Sequence, residues 1–301
     1  MKLLPFMLFL LFSPNKTQWG FYAHKQINRM AVFTLPPQLF GFYKANIDFI
    51  TNEATTPDKR RYAVEAEGRR HFIDLDYYDS LPPQSYKKAV KKYSVDTLNK
   101  YGTLPYHLII LKKQLTKAFL QKDRRKILRL STDAGHYLAD ANVPLHTTIN
   151  YNGQFTGQEG IHGLWESRIP ELFAASYNKI TGKSVYIGNF KQKIWQVIYA
   201  SHNAVDSVLN IEKTLSKSFD KNKEYTFEER GNSIVKTYSY AYAEKYHLAL
   251  NGQVERQFRK AIELTGSFWY TCWIDAGQPK LDSKRVPYKK GKSQKYRKEQ
   301  K

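Results

Sequence analysis

Cysteine is almost absent from this chain of 301 residues: Cys272 stands alone. A disulfide within the chain and a cluster of thiolate ligands are therefore excluded, so any bound metal must be held by imidazole and carboxylate. Long apolar runs are missing too. The one sizeable stretch, residues 3–12 behind Lys2, has ten residues, about half of what a bilayer-spanning helix needs. It fits the apolar core of an export signal, with an uncleaved N-terminal anchor as the other reading. Residues 1–18 are read as a signal peptide and the protein as secreted or periplasmic, although residues 13–18 lack the small-x-small pair that usually marks cleavage. Acids are scarce: 27 Asp and Glu face 48 Lys and Arg, a formal net charge of +21. That excess suits anionic partners and says nothing about fold. At 42% hydrophobic the chain can bury a full core, which excludes disorder for most of it.

What is present reads as helix after helix. Apolar residues recur at roughly helical spacing over 22–35, 38–54, 59–66, 85–101, 105–120, 123–141, 160–177, 190–215, 227–250 and 254–276. No stretch shows sustained alternation with a hairpin turn, which argues against a large sheet. The expected fold is all-α: one multi-helix domain over residues 19–280 with its site at the bottom of a cleft between helices. Residues 150–160, rich in Gly, Asn and Gln, read as a surface loop. The tail, residues 281–301, carries nine Lys and Arg against Asp282 and Glu299. It is expected to be disordered, with contact to nucleic acid or an anionic membrane as the alternative.

The densest chemistry lies between Asp133 and Glu166. His136 and Asp140 are four apart on a predicted helix, so an imidazole and a carboxylate share one face. Pro144 ends that helix, and His146 follows in the loop. His162 and Glu166 repeat the spacing at the start of the next helix. One such pair is more often a surface hydrogen bond than a ligand pair. Two of them, joined by a polar loop within a 27-residue window that holds three of the eight histidines, are how helical bundles build metal sites. Zinc suits that ligand set.

Taken in order, Trp19-Gly-Phe-Tyr-Ala-His24, His71-Phe-Ile-Asp74, His136-x3-Asp140-x5-His146 and His162-x3-Glu166 resemble the zinc-dependent phospholipase C and single-strand-specific nuclease superfamily. The resemblance runs from Trp19 to Glu166, about half the chain. It implies an all-α hydrolase of phosphodiesters with three Zn2+ ions. Position by position, it implies that His71, His136 and Asp140 hold one zinc, completed by a carboxylate upstream of His71. Asp58, 13 residues before His71, is the candidate, and it would also position the attacking water as the catalytic residue. Asp48 lies too far upstream, and Asp74 is expected to orient an imidazole. His146, His162 and Glu166 would hold a second zinc. The third would take His24, a bridging Asp140, and the amino and carbonyl groups of Trp19, which must then begin the mature chain. Cations so placed activate water and neutralise the leaving oxygen.

Other residues are expected to serve structure. His107, His202 and His247 have no carboxylate at ligand spacing, and Phe268, Trp269, Tyr270 and Trp273 read as helical core. Lys59, Arg60, Arg61, Arg69 and Arg70 flank two implied ligands, either as an anion-binding edge or as a solvated basic face. Within the phosphodiesterase reading, the net charge places single-stranded nucleic acid slightly ahead of phospholipid as substrate. The single cysteine leans toward the phospholipases, because fungal nucleases of the superfamily usually carry disulfides. A non-catalytic exported metal-binding protein is the remaining alternative. The protein is expected to be a monomer.

Overall fold

The computed structural model describes residues 20–79, 82–230 and 233–287. Trp19, the apolar segment before it, and residues 288–301 of the basic tail lie outside the described residues. Among the described residues the fold is all-α apart from one small hairpin.

The chain opens with α1 (Phe21–Val32), α2 (Pro37–Ala45), α3 (Ile47–Asn52) and α4 (Thr56–Arg60), followed by α5 (Tyr86–Tyr93) and α6 (Val95–Tyr101). Then α7 (Leu104–Leu120) and α8 (Arg124–Asp140) pack together across the short link 121–123. The N-terminus of α8 is capped by Asp123, whose side chain accepts from the Lys126 N–H at 3.1 Å, satisfying one of the orphan donors of the first turn. From Leu130 to Asp140 every residue of α8 is buried, so this helix has no solvent face in its second half. Several of its polar groups find partners inside the protein. Tyr43 and Ser131 share a hydroxyl hydrogen bond at 2.7 Å, Trp269 Nε1 donates to the Ser131 carbonyl, and Asn28 donates to the Thr132 carbonyl.

Two hydrophobic clusters meet along α8. Ala134, Tyr137 and Leu138 belong to one, Ala139, Val143 and Leu145 to the other. The implied ligands His136 and Asp140 lie at this seam. After α8 come α9 (Ile161–Gly163), a wide π turn at Leu164–Arg168, and α10 (Ile169–Phe173), which together form one helical stretch. Pro170 has no N–H to give the Glu166 carbonyl four residues back, which accounts for the widened turn. The chain continues through α11 (Phe190–His202) and α12 (Val205–Ser218).

The stretch 227–250, expected to be helical, is in fact split. Strands β1 (Tyr225–Arg230) and β2 (Ser233–Tyr238) pair antiparallel, Tyr225 opposite Tyr238 and Arg230 opposite Ser233, before α13 (Tyr240–Ala249) begins. Aromatic and β-branched residues in both arms explain the pairing. The charged run Glu228-Glu229-Arg230 had imitated a helix surface. Other predicted helices are interrupted where the backbone turns. The stretch 38–54 breaks at Asn46, 85–101 at Ser94 (φ 74°), and 190–215 at Asn203. The stretch expected over 59–66 ends at Arg60, and a 3₁₀ turn, Glu65–Arg70, leads into His71. Finally α14 (Gln253–Asp275) lies against α1, α7 and α8, burying Phe268, Trp269 and Trp273 as core.

Candidate metal centre

Five segments bring their polar side chains to the seam: α1 with His24, α4 with Asp58, the turn after Arg70 with His71, α8 with His136 and Asp140, and the 146–166 region with His146, His162 and Glu166. Their donor atoms form three groups, each within 4.8 Å: His24, His136 and Asp140; Asp58, His71 and His136; His146, His162 and Glu166. Asp140 links them. Its Oδ1 lies 3.5 Å from His24 Nε2 and 3.9 Å from His146 Nδ1, and its Oδ2 lies 3.0 Å from His71 Nδ1 and 3.4 Å from His136 Nε2. Asp58 Oδ1 approaches His136 Nε2 at 3.6 Å and His71 Nδ1 at 3.8 Å. Glu166 Oε1 lies 3.2 Å from His146 Nε2, and Glu166 pairs closely with His162 Nε2.

Three imidazoles are aimed from behind. The Nδ1 atoms of His136, His146 and His162 donate to the carbonyls of Ala54 (2.9 Å), His71 (2.6 Å) and Tyr151 (3.1 Å). Each commitment leaves the Nε2 lone pair facing the carboxylates, the tautomer a metal needs. All the other members are buried, and His162 keeps a quarter of its side chain exposed, so solvent reaches the group from that end.

The electrostatics show what this arrangement lacks. Burial lowers the His24 imidazole to about 3 and holds those of His71 and His136 well below the usual value, so these rings are neutral. Burial raises Asp58 to about 7 against the pull of Arg61. It also lifts Asp140 well above the carboxylate range, with Asp58 and Glu166 adding to the effect. Glu166 is the exception: burial pushes it up, but His162 and His146 outweigh that and hold it at about 2. Neutral imidazoles facing crowded carboxylates form a cluster short of positive charge. The Asp58 Oδ2 and His71 Nε2 atoms are buried and have no hydrogen-bond partner. Divalent cations fit this set: they supply the charge and take up the orphaned lone pair of Asp58, and the mixture of nitrogen and oxygen donors suits zinc.

Every implied ligand within the described residues thus stands in the cluster. Trp19 lies outside them, but its neighbour Gly20 donates its N–H to Ser167 Oγ at 3.1 Å, one residue beyond Glu166. Asp48 is on the surface, paired with Arg285 at 3.4 Å. Asp74 does not back the His71 ring as expected. The carboxylate behind that ring is Glu67, at 3.9 Å from Nε2. His107 packs its ring on Tyr137, His202 meets Thr147, and His247 stacks on Phe173, all away from the three groups. The basic edge divides. Arg60 turns inward to Asp133 and Glu67 and Arg70 pairs with Glu67, while Arg61 stands 3.8 Å from Asp58 with more than a third of its side chain exposed.

Sequence reasoning missed Glu67, although Glu67 and His71 have the same four-residue spacing as the pairs it found. The 150–160 loop runs through Gly153, Gly157 and Gly160, each at positive φ, and lays Tyr151 against His162 with ring centroids 6.0 Å apart.

No protein-family model matches this chain, and no curated protein matches it. Among solved structures, alpha toxin from Clostridium absonum is similar, with a TM-score of 0.50 at 15% sequence identity. The match covers 86% of this chain and 65% of the toxin chain, so the present chain spans about two thirds of the toxin's length. At that identity the likeness is one of fold, and it agrees with the all-α architecture.

Proposed function

We propose that this protein is an exported, zinc-dependent phosphodiester hydrolase. The observation that carries the reading is the convergence of three ligand groups, two sharing His136 and the third reaching Asp140 through His146 at 3.9 Å. Cations bound there would polarise a water and offset the negative charge that grows on a phosphoryl group under attack. The protein's own residues have definable parts. His136, His146 and His162 are held in one tautomer by backbone carbonyls and present fixed donors. Asp58, with one oxygen toward the histidines and the other unpartnered, is positioned to orient the attacking water and accept its proton. Arg61, beside Asp58 and partly exposed, is placed to meet an anionic substrate. Trp19, as the first residue after signal cleavage, would add its amine beside His24 and Asp140.

The substrate proposed is single-stranded nucleic acid, supported by the net charge of +21. The second reading is a phospholipid headgroup. Exposed Tyr151 and Phe155, on the loop beside His162, favour it because they suit contact with an interface. The test is hydrolysis of single-stranded DNA and phosphatidylcholine side by side, with zinc and with chelator. DNA cleavage falling steeply with salt supports the nuclease reading, because each phosphate contact releases counterions. Turnover of phosphatidylcholine alone, at low salt, replaces it with the phospholipase reading. No zinc-dependent hydrolysis of either rejects both.

A further inference from the structure

We propose that Glu67 is a positioning residue of the metal centre, its carboxylate standing behind the His71 imidazole and setting how strongly His71 holds a cation. The inference rests on the reading of the seam as a metal site.

His71 is mounted differently from three of its fellow ligands. In His136, His146 and His162 the Nδ1 atom is committed to a neutral backbone carbonyl and Nε2 faces inward. In His71 the ring is reversed: Nδ1 faces Asp140 at 3.0 Å and His136 Nε2 at 3.1 Å, which turns Nε2 to the rear. That rear nitrogen is buried without a hydrogen-bond partner, and Glu67 Oε1 stands 3.9 Å from it. A charged acceptor raises the basicity of a ligating imidazole more than a carbonyl does, and it fixes the proton on the far nitrogen.

Glu67 is itself held in place. It is fully buried in the 3₁₀ turn before His71. It accepts from Arg60 Nη2 at 2.9 Å, from Arg70 Nη1 at 2.7 Å, and from the Tyr137 hydroxyl. Arg60 also reaches Asp133 at 2.9 Å, so one guanidinium ties the turn carrying His71 to α8, which carries His136 and Asp140. Charge-assisted hydrogen bonds of this kind leave the carboxylate little freedom. Two guanidiniums on one buried carboxylate exceed what closing a short turn requires, and they make it a fixed anion behind the ring.

The test uses the exported full chain with zinc, comparing wild type with Glu67→Gln, which keeps the shape and removes the charge. Zinc content by elemental analysis and affinity by chelator competition are the readouts, with far-UV circular dichroism as the check on folding. The expected result is a folded variant in which one cation is bound about 10–100-fold more weakly, the others being unchanged. Affinity within twofold of wild type for every cation overturns the role of Glu67. Wild-type protein that binds no zinc overturns the metal reading itself. Should Glu67→Gln fail to fold, nitrogen NMR of zinc-loaded wild type decides. His71 should show a protonated Nε2 and a metal-bound Nδ1, and a metal-bound Nε2 rejects the inference.

Discussion

Asp140→Asn removes one charge and leaves the shape intact, which makes it the sharpest probe of the cluster. The Asp140 carboxylate faces His24 through one oxygen and His71 and His136 through the other. Burial disfavours its charged form when no cation is present, and Asp58 and Glu166 disfavour it further. A neutral amide should therefore be tolerated in the metal-free protein, within ~1 kcal/mol of wild type. With zinc the position reverses. A cation held at 100 times its Kd stabilises the fold by ~2.7 kcal/mol. In a domain of this size that is a rise of roughly 5–10 °C in Tm per site, at ~2–4 °C per kcal/mol. The variant should keep the metal-free Tm and lose most of the zinc-dependent rise, because the amide keeps one neutral oxygen in place of the two that bridge and carries no charge. Differential scanning fluorimetry, with chelator and then across a zinc titration, measures both quantities. A variant that matches wild type in its zinc-dependent rise refutes the bridging role. One that melts far below wild type in chelator shows instead that Asp140 serves as a structural ion-pair partner.

Asp58→Asn should lower turnover at saturating substrate by well over tenfold, more than ~1.4 kcal/mol of barrier, while shifting the metal-free Tm little; steady-state kinetics beside a melt checks it. Metal-free protein should lose stability as pH rises past the ordinary imidazole range, where Asp58, at about 7, and Asp140 give up the protons that burial holds on them. The folded state keeps Asp140 protonated where the unfolded chain does not, whereas the depressed histidines add stability only up to the ordinary imidazole range. Excess zinc should reverse that trend, since ligation takes the deprotonated carboxylate, and melts at pH 6 to 9 with chelator or zinc compare the two. Gly135→Ala should destabilise the protein with or without metal, because a Cβ there would lie 1.9 Å from Asn28 Oδ1, where α1 meets α8. Overpacking of ~1–3 kcal/mol outweighs the ~1 kcal/mol gained in helix propensity, and urea midpoints measure the difference.

The helical periodicity of α1, α7, α8 and α14 was legible because each buries a repeating apolar face. So were the pairs His136/Asp140 and His162/Glu166, whose spacing matches one helical turn. The full burial of the second half of α8 was not legible. Ser131, Thr132 and Asp133 are polar, and only long-range partners such as Tyr43, Trp269 and Arg60 make them interior. Glu67 was overlooked because its turn is 3₁₀ and Arg69 and Arg70 made the segment look like surface. The hairpin was hidden by Glu228 and Arg230, which are engaged by Arg168 and Glu171 across the fold.

The ligands are spread along the chain from α1 to the turn before α10, and this has a temporal consequence. His24 meets its partners only once α8 exists, and the His146 group needs Glu166 to be made. A cation binding here joins distant parts of one chain, closing loops whose entropy an unlinked chain would retain. In a sequence with a single cysteine, such cations would stand in for disulfides, as cross-links acquired only once the chain has folded far enough to bring their ligands together. Withholding zinc should then loosen the first helix and the His162 segment together, with faster amide exchange in both, while the α7–α8 pair stays closed.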